Sequence, residues 1–134
     1  MMKTCTLRFL CADEKEYEGP CVSLKVPLSD GSAGILADHA NMVAALVNGE
    51  LTFDTGEKQE IYAVSDGLLE IKNGEVTILA YSAERPNEID ENRAREAAER
   101  ARARLRRRMS GLEYRQSQVA LSRALNRLRV KKGH

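Results

Sequence analysis

Apolar and polar residues alternate along the first part of the chain. From Val22 to Leu28 every second residue is Val or Leu, and the residues between them are mixed in character. A period of two predicts β-strands with one buried face. Turn-forming dipeptides separate such runs at intervals of about ten residues, which predicts an antiparallel sandwich or barrel of short strands. These dipeptides are Gly19-Pro20, Asp30-Gly31, Asn48-Gly49, Thr55-Gly56, Asp66-Gly67 and Asn73-Gly74.

The strongest local signal is the last of these dipeptides, Asn73-Gly74. An alternating segment precedes it at residues 69–72, and another follows at residues 75–78. Asn and Gly both tolerate positive φ, so the pair predicts a two-residue hairpin that joins two strands.

The hydrophobic pattern changes after Pro86. A proline cannot donate the hydrogen bond of a central strand, whereas Asn87 and Asp90 can cap and charge the start of a helix. We therefore predict a first helix that begins near these residues. Its apolar positions recur at intervals of three and four, and most of them are alanine. They are Ala94, Ala97, Ala98, Ala101, Leu105 and Met109.

A second helix is predicted from about Glu113 to Val130, after an interruption at Ser110-Gly111. Alanine opposite leucine lets two antiparallel helices approach closely, so the two helices are predicted to form a hairpin. The predicted fold is thus β plus α, with a β-sandwich or barrel over residues 1–86 and a two-helix hairpin over residues 87–134. The predicted apolar face of the second helix is Ser117, Leu121, Ala124, Leu125 and Leu128.

The folded hairpin is predicted to be marginally stable. At about 25 cal/mol per Å², a buried alanine methyl contributes well under 1 kcal/mol. Ordering one residue of backbone costs about 1 to 2 kcal/mol. Charge adds to the problem: residues 87–134 contain fourteen Lys or Arg and six Asp or Glu, a balance of +8, whereas residues 1–86 contain seven and fourteen, a balance of −7. An anionic ligand is therefore expected to stabilise the folded hairpin.

Composition narrows the class of protein. No apolar run approaches the roughly 18 residues of a membrane-spanning helix, and the first residues do not resemble a signal peptide, so a cytosolic protein is predicted. Cys5, Cys11 and Cys21 form no C-x-x-C pair and have no histidine at metal spacing. We interpret them as reduced thiols in β structure and predict no metal site.

Four arginines are spaced so that they can converge. Arg93 lies one helical turn after Asp90, and Arg100 lies seven residues further on the same helical face. Arg123 and Arg127 are neighbours at i, i+4 on the second helix. An antiparallel hairpin would place both pairs at comparable distances from the turn, where planar guanidinium groups suit phosphate oxygens.

Two other interpretations of these charges stay open. A charged helix face is most often simply solvated, and the Arg106–Arg108 run is interpreted in this way. A basic helix also attracts nucleic-acid backbones. Against nucleic-acid binding stand an aromatic content of 4%, no recognised binding motif and an acidic first domain.

The residue pattern argues against catalysis. The chain has no G-x-x-x-x-G-K-[ST], G-x-S-x-G or H-E-x-x-H motif. His39 and His134 are the two histidines; His134 ends the chain, and His39 is interpreted as a structural loop residue. We predict no catalytic residue, no required cofactor and, for a bound nucleotide, no hydrolysis.

Along nearly its whole length the sequence resembles the ε subunit of bacterial F-type ATP synthases. The match rests on the order and spacing of several segments, each of them weak alone. They are Tyr17-Glu18-Gly19, the 30–36 segment from Asp30-Gly31 to Ile35-Leu36, Asp38-His39-Ala40, Met42-Val43-Ala44-Ala45-Leu46, the 63–71 segment, Val76-Thr77-Ile78-Leu79-Ala80 and Ile89-Asp90-x-x-Arg93-Ala94.

The resemblance implies a ten-stranded flattened β-barrel or sandwich followed by the helical hairpin. It implies a place in the rotor's central stalk, at the cytoplasmic face of the bacterial membrane, with the membrane reached only through the complex. The β domain would contact the γ subunit and the c-ring, and the isolated chain would be monomeric. The implied contact residues are Gly31, Ser32, Ala33, Gly34, Ile35 and His39.

The resemblance also implies a regulatory role for the hairpin. In this family the hairpin folds down against the β domain or opens along γ into the α and β subunits of the catalytic head, where it blocks ATP hydrolysis. ATP would be a regulatory ligand. Ile89 and Asp90 would face adenine, Arg93, Arg100, Arg123 and Arg127 would hold the phosphates, and Glu84 and Ala94 would lie nearby. A hairpin that does not sense ATP, and a nucleic-acid-binding adapter, are the alternatives.

Overall fold

The computed structural model describes residues 4–12, 14–36, 39–107 and 110–133. The interpretations of Asp38, Arg108, Met109 and His134 fall outside these residues. The chain forms two compact units, Met1–Glu84 and Arg85–His134, which divide two residues before the predicted boundary.

Ten strands in the described residues of the first unit form one sheet, as predicted. Its order is β10-β7-β6-β3-β5-β8-β9-β1-β2, with β4 paired to β3. The strands are β1 (Cys5–Cys11), β2 (Glu14–Cys21), β3 (Ser23–Leu28), β4 (Gly31–Leu36), β5 (Met42–Leu46), β6 (Gly49–Asp54), β7 (Gln59–Val64), β8 (Gly67–Lys72), β9 (Glu75–Ala80) and β10 (Ala83–Glu84).

The sheet departs from the prediction in two places. The pairing of β1 with β9 is parallel, so the sheet is mixed and not purely antiparallel. The predicted turn at Gly19-Pro20 is wrong, because both residues lie inside β2, opposite Leu7 and Thr6 of β1. Pro20 is tolerated there because β2 is an edge strand, whose outward positions need no ladder hydrogen bond.

An aromatic cluster shows that the sheet folds back on itself. The Phe9 ring of β1 meets Phe53 of β6 and Tyr62 of β7, with ring centroids 6.2 and 4.9 Å apart and the planes nearly perpendicular. These strands are far apart in the sheet order, so contact requires the two halves of the sheet to pack face to face. Edge-to-face pairs of this kind add to the energy of apolar burial.

The hairpin predicted at Asn73-Gly74 is confirmed. It joins β8 to β9, and both turn residues have positive φ, +51° and +80°. At the other end of the same strand pair, a Cβ added to Gly67 would overlap the carbonyl oxygen of Leu79, so that position requires glycine.

All three cysteines lie in strands with free thiols, as predicted. Cys5 and Cys21 are register partners across β1 and β2, and the Cys5 thiol donates to the Cys21 carbonyl oxygen at 3.3 Å. Burial, with the neighbouring Cys5 as a second cause, raises the pKa of Cys21 to about 12. This thiol is therefore a neutral packing group.

The second unit contains a 3₁₀ turn, η1 (Pro86–Glu88), followed by α1 (Glu91–Leu105) and α2 (Gly111–Gly133). Asp90 is the N-cap of α1, and its Oδ1 accepts the Arg93 N–H at 3.1 Å. Asn87 is not the cap, because the chain first makes the 3₁₀ turn. Helix α2 begins at Gly111, two residues before the predicted start, and the preceding Ser110 caps it, since its Oγ accepts the Glu113 N–H at 3.2 Å.

The two helices pack through a seam that is largely alanine. Ala94, Ala98 and Ala101 of α1 are buried, as is Ala124 of α2. The predicted place of Leu125 on this face is wrong: its side chain is 36% exposed, because it lies one position past the seam residue Ala124.

Candidate functional site

The segment that enters the hairpin is rigid at Ile89 and Asp90. The Ile89 side chain is 3% exposed, and its N–H donates to the Pro86 carbonyl oxygen at 3.3 Å. One oxygen of the Asp90 carboxylate caps α1. The position of that carboxylate is therefore fixed by the helix start.

Each of the four arginines stands one position before a residue of the helical seam. Arg93 precedes Ala94, Arg100 precedes Ala101, Arg123 precedes Ala124, and Arg127 precedes the half-buried Leu128. One position is about 100° of rotation about a helix axis. Because the helices are antiparallel, an equal offset on each helix points to the same side of the hairpin. The structure thus brings the four predicted arginines to one side, which we call the arginine face.

The arginines also lie at related levels along the hairpin. Arg93 is twelve residues before the end of α1, and Arg123 is twelve residues after the start of α2. Both therefore lie about 18 Å from the turn. Arg100 lies nearer the turn and Arg127 further from it, so the four span about 16 Å along the axis. An elongated polyanion matches this arrangement.

Exposure differs between the two pairs. Arg93 and Arg100 are exposed, whereas Arg123 and Arg127 are half-buried and their Nε atoms are fully buried. A guanidinium group whose Nε is buried is restrained by packing, whereas a fully exposed one can move toward a ligand. The half-buried pair of α2 is therefore the ordered part of the arginine face.

The opposite side of the hairpin has a different character. Arg95 follows Ala94 by one position and pairs with Glu91 at 2.9 Å. A surface cavity of about 330 Å³ on the hairpin is lined by Leu105 of α1 and by Gln118, Leu121, Ser122, Leu125 and Arg129 of α2. The positive charge of Arg95 on this side thus lies beside an acidic side chain.

The two remaining predicted nucleotide contacts lie in different surroundings. Ala94 is fully buried in the helical seam. Glu84 belongs to the first unit, where it lies in β10 opposite Ala63 of β7.

Five of the six predicted docking residues lie in β4, which follows the turn after β3, and the sixth, His39, lies between β4 and β5. Gly31 has a φ of +119°, which favours glycine there. Gly31, Ser32 and Gly34 are exposed, Ala33 is half-buried and Ile35 is 1% exposed. His39 is exposed, with its Nδ1 2.9 Å from the Ala40 carbonyl oxygen.

One surface of the first unit escaped the sequence analysis. Four apolar residues lie side by side across four strands: Ala45 is opposite Leu68, Leu68 is opposite Leu79, and Leu79 is opposite Leu10. Leu68 and Leu79 are 42% and 44% exposed. We call these four residues the leucine row. The alternation of residues marks them as facing away from the core, but only the strand register aligns them.

Two further groups in the hairpin were missed. Asn126 is 2% exposed, and its Oδ1 accepts from Arg129 at 3.2 Å. Lys131 donates from Nζ to the Pro86 carbonyl oxygen at 3.0 Å. The signal for Lys131 was its spacing, three positions after Leu128 on the seam face of α2.

Neither a metal centre nor a membrane-crossing helix occurs in the ranges that the structure describes. No group of three or more His, Cys, Asp or Glu side chains there is placed to hold a metal ion. Within those same ranges, every helix falls short of the length and apolarity needed to cross a membrane.

Family models match both units of the chain. The β-sandwich domain of the ATP synthase delta/epsilon chain matches residues 4–86, and the long α-helix domain of the same chain matches residues 87–132. The ATP synthase epsilon chain of Halalkalibacterium halodurans is 38% identical over 130 residues, covering 96% of this chain and 98% of that one. The epsilon chain of Ruminiclostridium cellulolyticum is 40% identical over 127 residues, covering 95% of each.

Solved structures agree with these matches. A chain in the cryo-EM structure of the Euglena gracilis mitochondrial ATP synthase superposes with a TM-score of 0.83 at 25% identity, covering 98% of this chain and 82% of that one. A chain in the cryo-EM structure of the central stalk and c-ring of the Tetrahymena thermophila mitochondrial ATP synthase shares the fold, with a TM-score of 0.67 at 11% identity, covering 98% of this chain and 97% of that one. The family models match both units, and the sequence is 38% and 40% identical to two epsilon chains over at least 95% of its length. These findings show that this chain belongs to the family of epsilon subunits of F-type ATP synthases.

Proposed function

We propose that this chain is a non-catalytic regulatory subunit whose hairpin binds ATP when closed and inhibits ATP hydrolysis when open. The observation that carries the proposal is the arginine face, where Arg93, Arg100, Arg123 and Arg127 share one side of two antiparallel helices. Like charges at close range are destabilising unless they are screened or bind an anion. A triphosphate supplies about four negative charges and suits planar, multi-donor guanidinium groups.

The nucleotide would lie along the hairpin axis. The four arginines would hold the phosphates, and the base would face Ile89 and Asp90 at the start of α1. Asp90 uses Oδ1 to cap the helix, and its other carboxylate oxygen can accept from the adenine amino group. Ala94 is proposed to lie near the nucleotide. We expect binding without hydrolysis, since the proposed site includes no histidine and the Asp90 carboxylate is proposed to face the base and not the phosphates.

The low stability of the hairpin would make it responsive to ATP. Its seam buries alanines, each of which contributes well under ~1 kcal/mol of hydrophobic free energy. A ligand that binds the closed form and not the open form stabilises the closed form by RT ln(1 + c/Kd), which grows with the ligand concentration c. High ATP would therefore keep the hairpin closed, and low ATP would release it.

The open form would act on the catalytic head. A fully helical stretch of about 45 residues reaches roughly 65 to 70 Å. Such a helix would extend along γ between the α and β subunits, where its arginines would meet acidic surfaces and block rotation. In this account the same positive charges bind ATP in one state and the catalytic head in the other.

The first unit would be the docking part. The leucine row is an exposed apolar surface on a rigid sheet, as expected of a subunit interface. We propose that the leucine row contacts γ and that β4, at Gly31–Ile35, contacts the c-ring, with His39 near these contacts. The subunit would thus reach the cytoplasmic face of the membrane only through the complex, and the isolated chain would be monomeric.

Isothermal titration of the full chain with ATP tests the nucleotide site. We expect binding by the wild type, a loss of at least about tenfold in affinity for Arg93→Ala, from removing a charge-assisted contact, and near wild-type affinity for Arg95→Ala. The two variants remove the same charge from the same helix on opposite sides. Absence of heat at millimolar ATP, or equal losses in both variants, would contradict the site.

A truncated chain ending at Pro86 tests inhibition. Assembled with the remaining subunits, it should give higher ATPase activity at low ATP than the full chain. Unchanged activity would mean that the hairpin does not inhibit.

Docking is tested separately: Leu68→Lys should reduce co-purification with γ, whereas Val43→Lys, outside the leucine row, should reduce it less.

A further inference from the structure

A hydrogen bond closes the end of the hairpin that lies away from the turn. Lys131, in the last turn of α2, donates from Nζ to the Pro86 carbonyl oxygen at 3.0 Å. The two residues are 45 positions apart in sequence. The same carbonyl oxygen accepts the Ile89 N–H at 3.3 Å. One oxygen atom therefore joins α2 to the segment that leads into α1.

The acceptor belongs to a rigid turn. In η1 the Glu88 N–H donates to the Arg85 carbonyl oxygen at 2.9 Å, and the Glu88 carboxylate accepts the Arg85 N–H at 3.2 Å. Pro86 restricts its own φ. The Pro86 carbonyl oxygen consequently has a fixed position relative to Ile89 and Asp90, which follow at once.

The donor is also held in place. Lys131 is half-buried, and the preceding residue, Val130, is fully buried. A lysine cation in the last turn of a helix is favoured by the helix dipole, so α2 itself stabilises the charged donor at this position. The hydrogen bond is thus made between two ordered groups.

We propose that Lys131 is a positioning residue that holds together, as a latch, the end of the hairpin away from its turn, and so controls access to the arginine face. Ile89 and Asp90 lie on the η1 side of this bond, and Arg127 lies one turn before Lys131 on the α2 side. Breaking the bond separates the two sides of the nucleotide site without removing any group that contacts the nucleotide. The effect on ATP affinity rests on the proposed function; the effect on hairpin closure does not.

The next residue supplies a matched control. Lys132 carries the same charge in the same helical turn but is exposed, about 100° around the helix from Lys131. Lys131→Met and Lys132→Met therefore change net charge and helix-dipole interaction alike. Only the first removes the bond to Pro86.

Hydrogen exchange of the full chain without nucleotide tests the latch. We expect Lys131→Met to speed exchange of the Ile89 amide about three- to tenfold, the range for one partly exposed hydrogen bond to a charged group. Lys132→Met should leave the rate unchanged, and Lys131→Arg, which keeps a cationic donor, should restore most of the protection. Equal rates in Lys131→Met and Lys132→Met would overturn the proposal.

ATP titration of the same variants gives the second readout. Lys131→Met should weaken ATP binding by about the factor by which it opens the hairpin, and Lys132→Met should not. If the wild type bound no ATP, the proposed function would fail while the exchange experiment still decided the latch. If exchange rose in Lys131→Met but ATP affinity did not fall, the latch would not control the site, and the proposal would be overturned.

Discussion

The two units bury very different side chains. The interior of the first unit contains Leu7, Phe9, Leu51, Leu69 and Ile78, each fully buried. Of the six apolar residues buried in the described part of the second unit, four are alanine, and the others are Ile89 and Val130. Hydrophobic stabilisation scales with apolar area removed from water, so the same degree of burial stabilises the second unit far less. We therefore expect the first unit to be stably folded by its own core, and the folding of the second unit to depend on further interactions.

Charge widens the difference. Residues 1–86 carry a balance of −7 and residues 87–134 a balance of +8. In the described part of the first unit the acidic groups are distributed over six strands and the turns between strands, whereas in the second unit four arginines share one side of two helices. The second unit thus combines a weak seam with a high density of positive charge, which we propose an anionic ligand offsets.

The largest expected effect is in the first unit. Phe9→Ala should reduce its free energy of unfolding by about 3 to 5 kcal/mol, because it empties the centre of the aromatic cluster. Val43→Ala, at a side chain that is 67% exposed, should change it by less than about 0.5 kcal/mol. Denaturant unfolding followed by strand-sensitive circular dichroism measures both; similar costs would mean that the cluster is not the core.

A smaller effect is expected in the helical seam. Ala98→Leu should destabilise the hairpin by about 1 to 3 kcal/mol, because the larger side chain pushes α1 and α2 apart. Ala103→Leu is the control, since Ala103 is exposed on the same helix and both residues are strong helix formers. Thermal unfolding of the helical signal compares them. A stabilising Ala98→Leu would show that the seam is not closely packed.

Removing the cap of α1 should cost less. Asp90→Ala should destabilise the hairpin by about 1 kcal/mol, because it removes the acceptor for the Arg93 N–H. Asp90→Asn keeps an acceptor and should recover most of that loss. In ATP titrations the same pair separates the cap from base recognition: weak binding by both variants would mean that the carboxylate itself contacts the nucleotide.

Surface ion pairs should contribute least in either unit. Arg95→Ala, which breaks the pair with Glu91 on α1, should lower the free energy of unfolding by about 0.3 to 0.5 kcal/mol.

In the first unit, the hydrogen bond and charge of Lys15 lower the pKa of Glu18. The stabilisation from this depressed pKa is present above the ordinary pKa and is lost as pH falls through the lowered one. Lys15→Ala should raise the Glu18 pKa toward its ordinary value in an NMR titration.

Local sequence patterns predicted where the strands lie better than they predicted which strands pair. The alternation of apolar residues and the Asn73-Gly74 pair predicted strands and a hairpin that the structure contains. Gly19-Pro20 misled because a proline on an edge strand breaks no ladder bond, and edge position is a property of the whole sheet. The parallel pairing of β1 with β9 could not be predicted either, because the two strands are far apart in the sequence.

In the candidate site, too, local spacing predicted more than could be predicted about contacts between distant parts of the chain. Helical spacing and the family resemblance identified the four arginines, and their common offset from the alanine seam places them on one side. The leucine row could not be found from sequence because its members come from four strands whose register is set by packing. The bond from Lys131 to Pro86 requires the relative level of two helices, which loop length alone does not fix.

Residue-level hydrogen exchange of the full chain, with and without millimolar ATP, tests the central claim most directly. ATP should slow exchange in α1 and α2 at least about tenfold while the β-strand amides, which serve as the internal standard, stay unchanged. Arg93→Ala should abolish the protection, and Arg95→Ala should retain it. Unchanged exchange in the helices, or equal slowing in both units, would contradict a hairpin that responds to ATP.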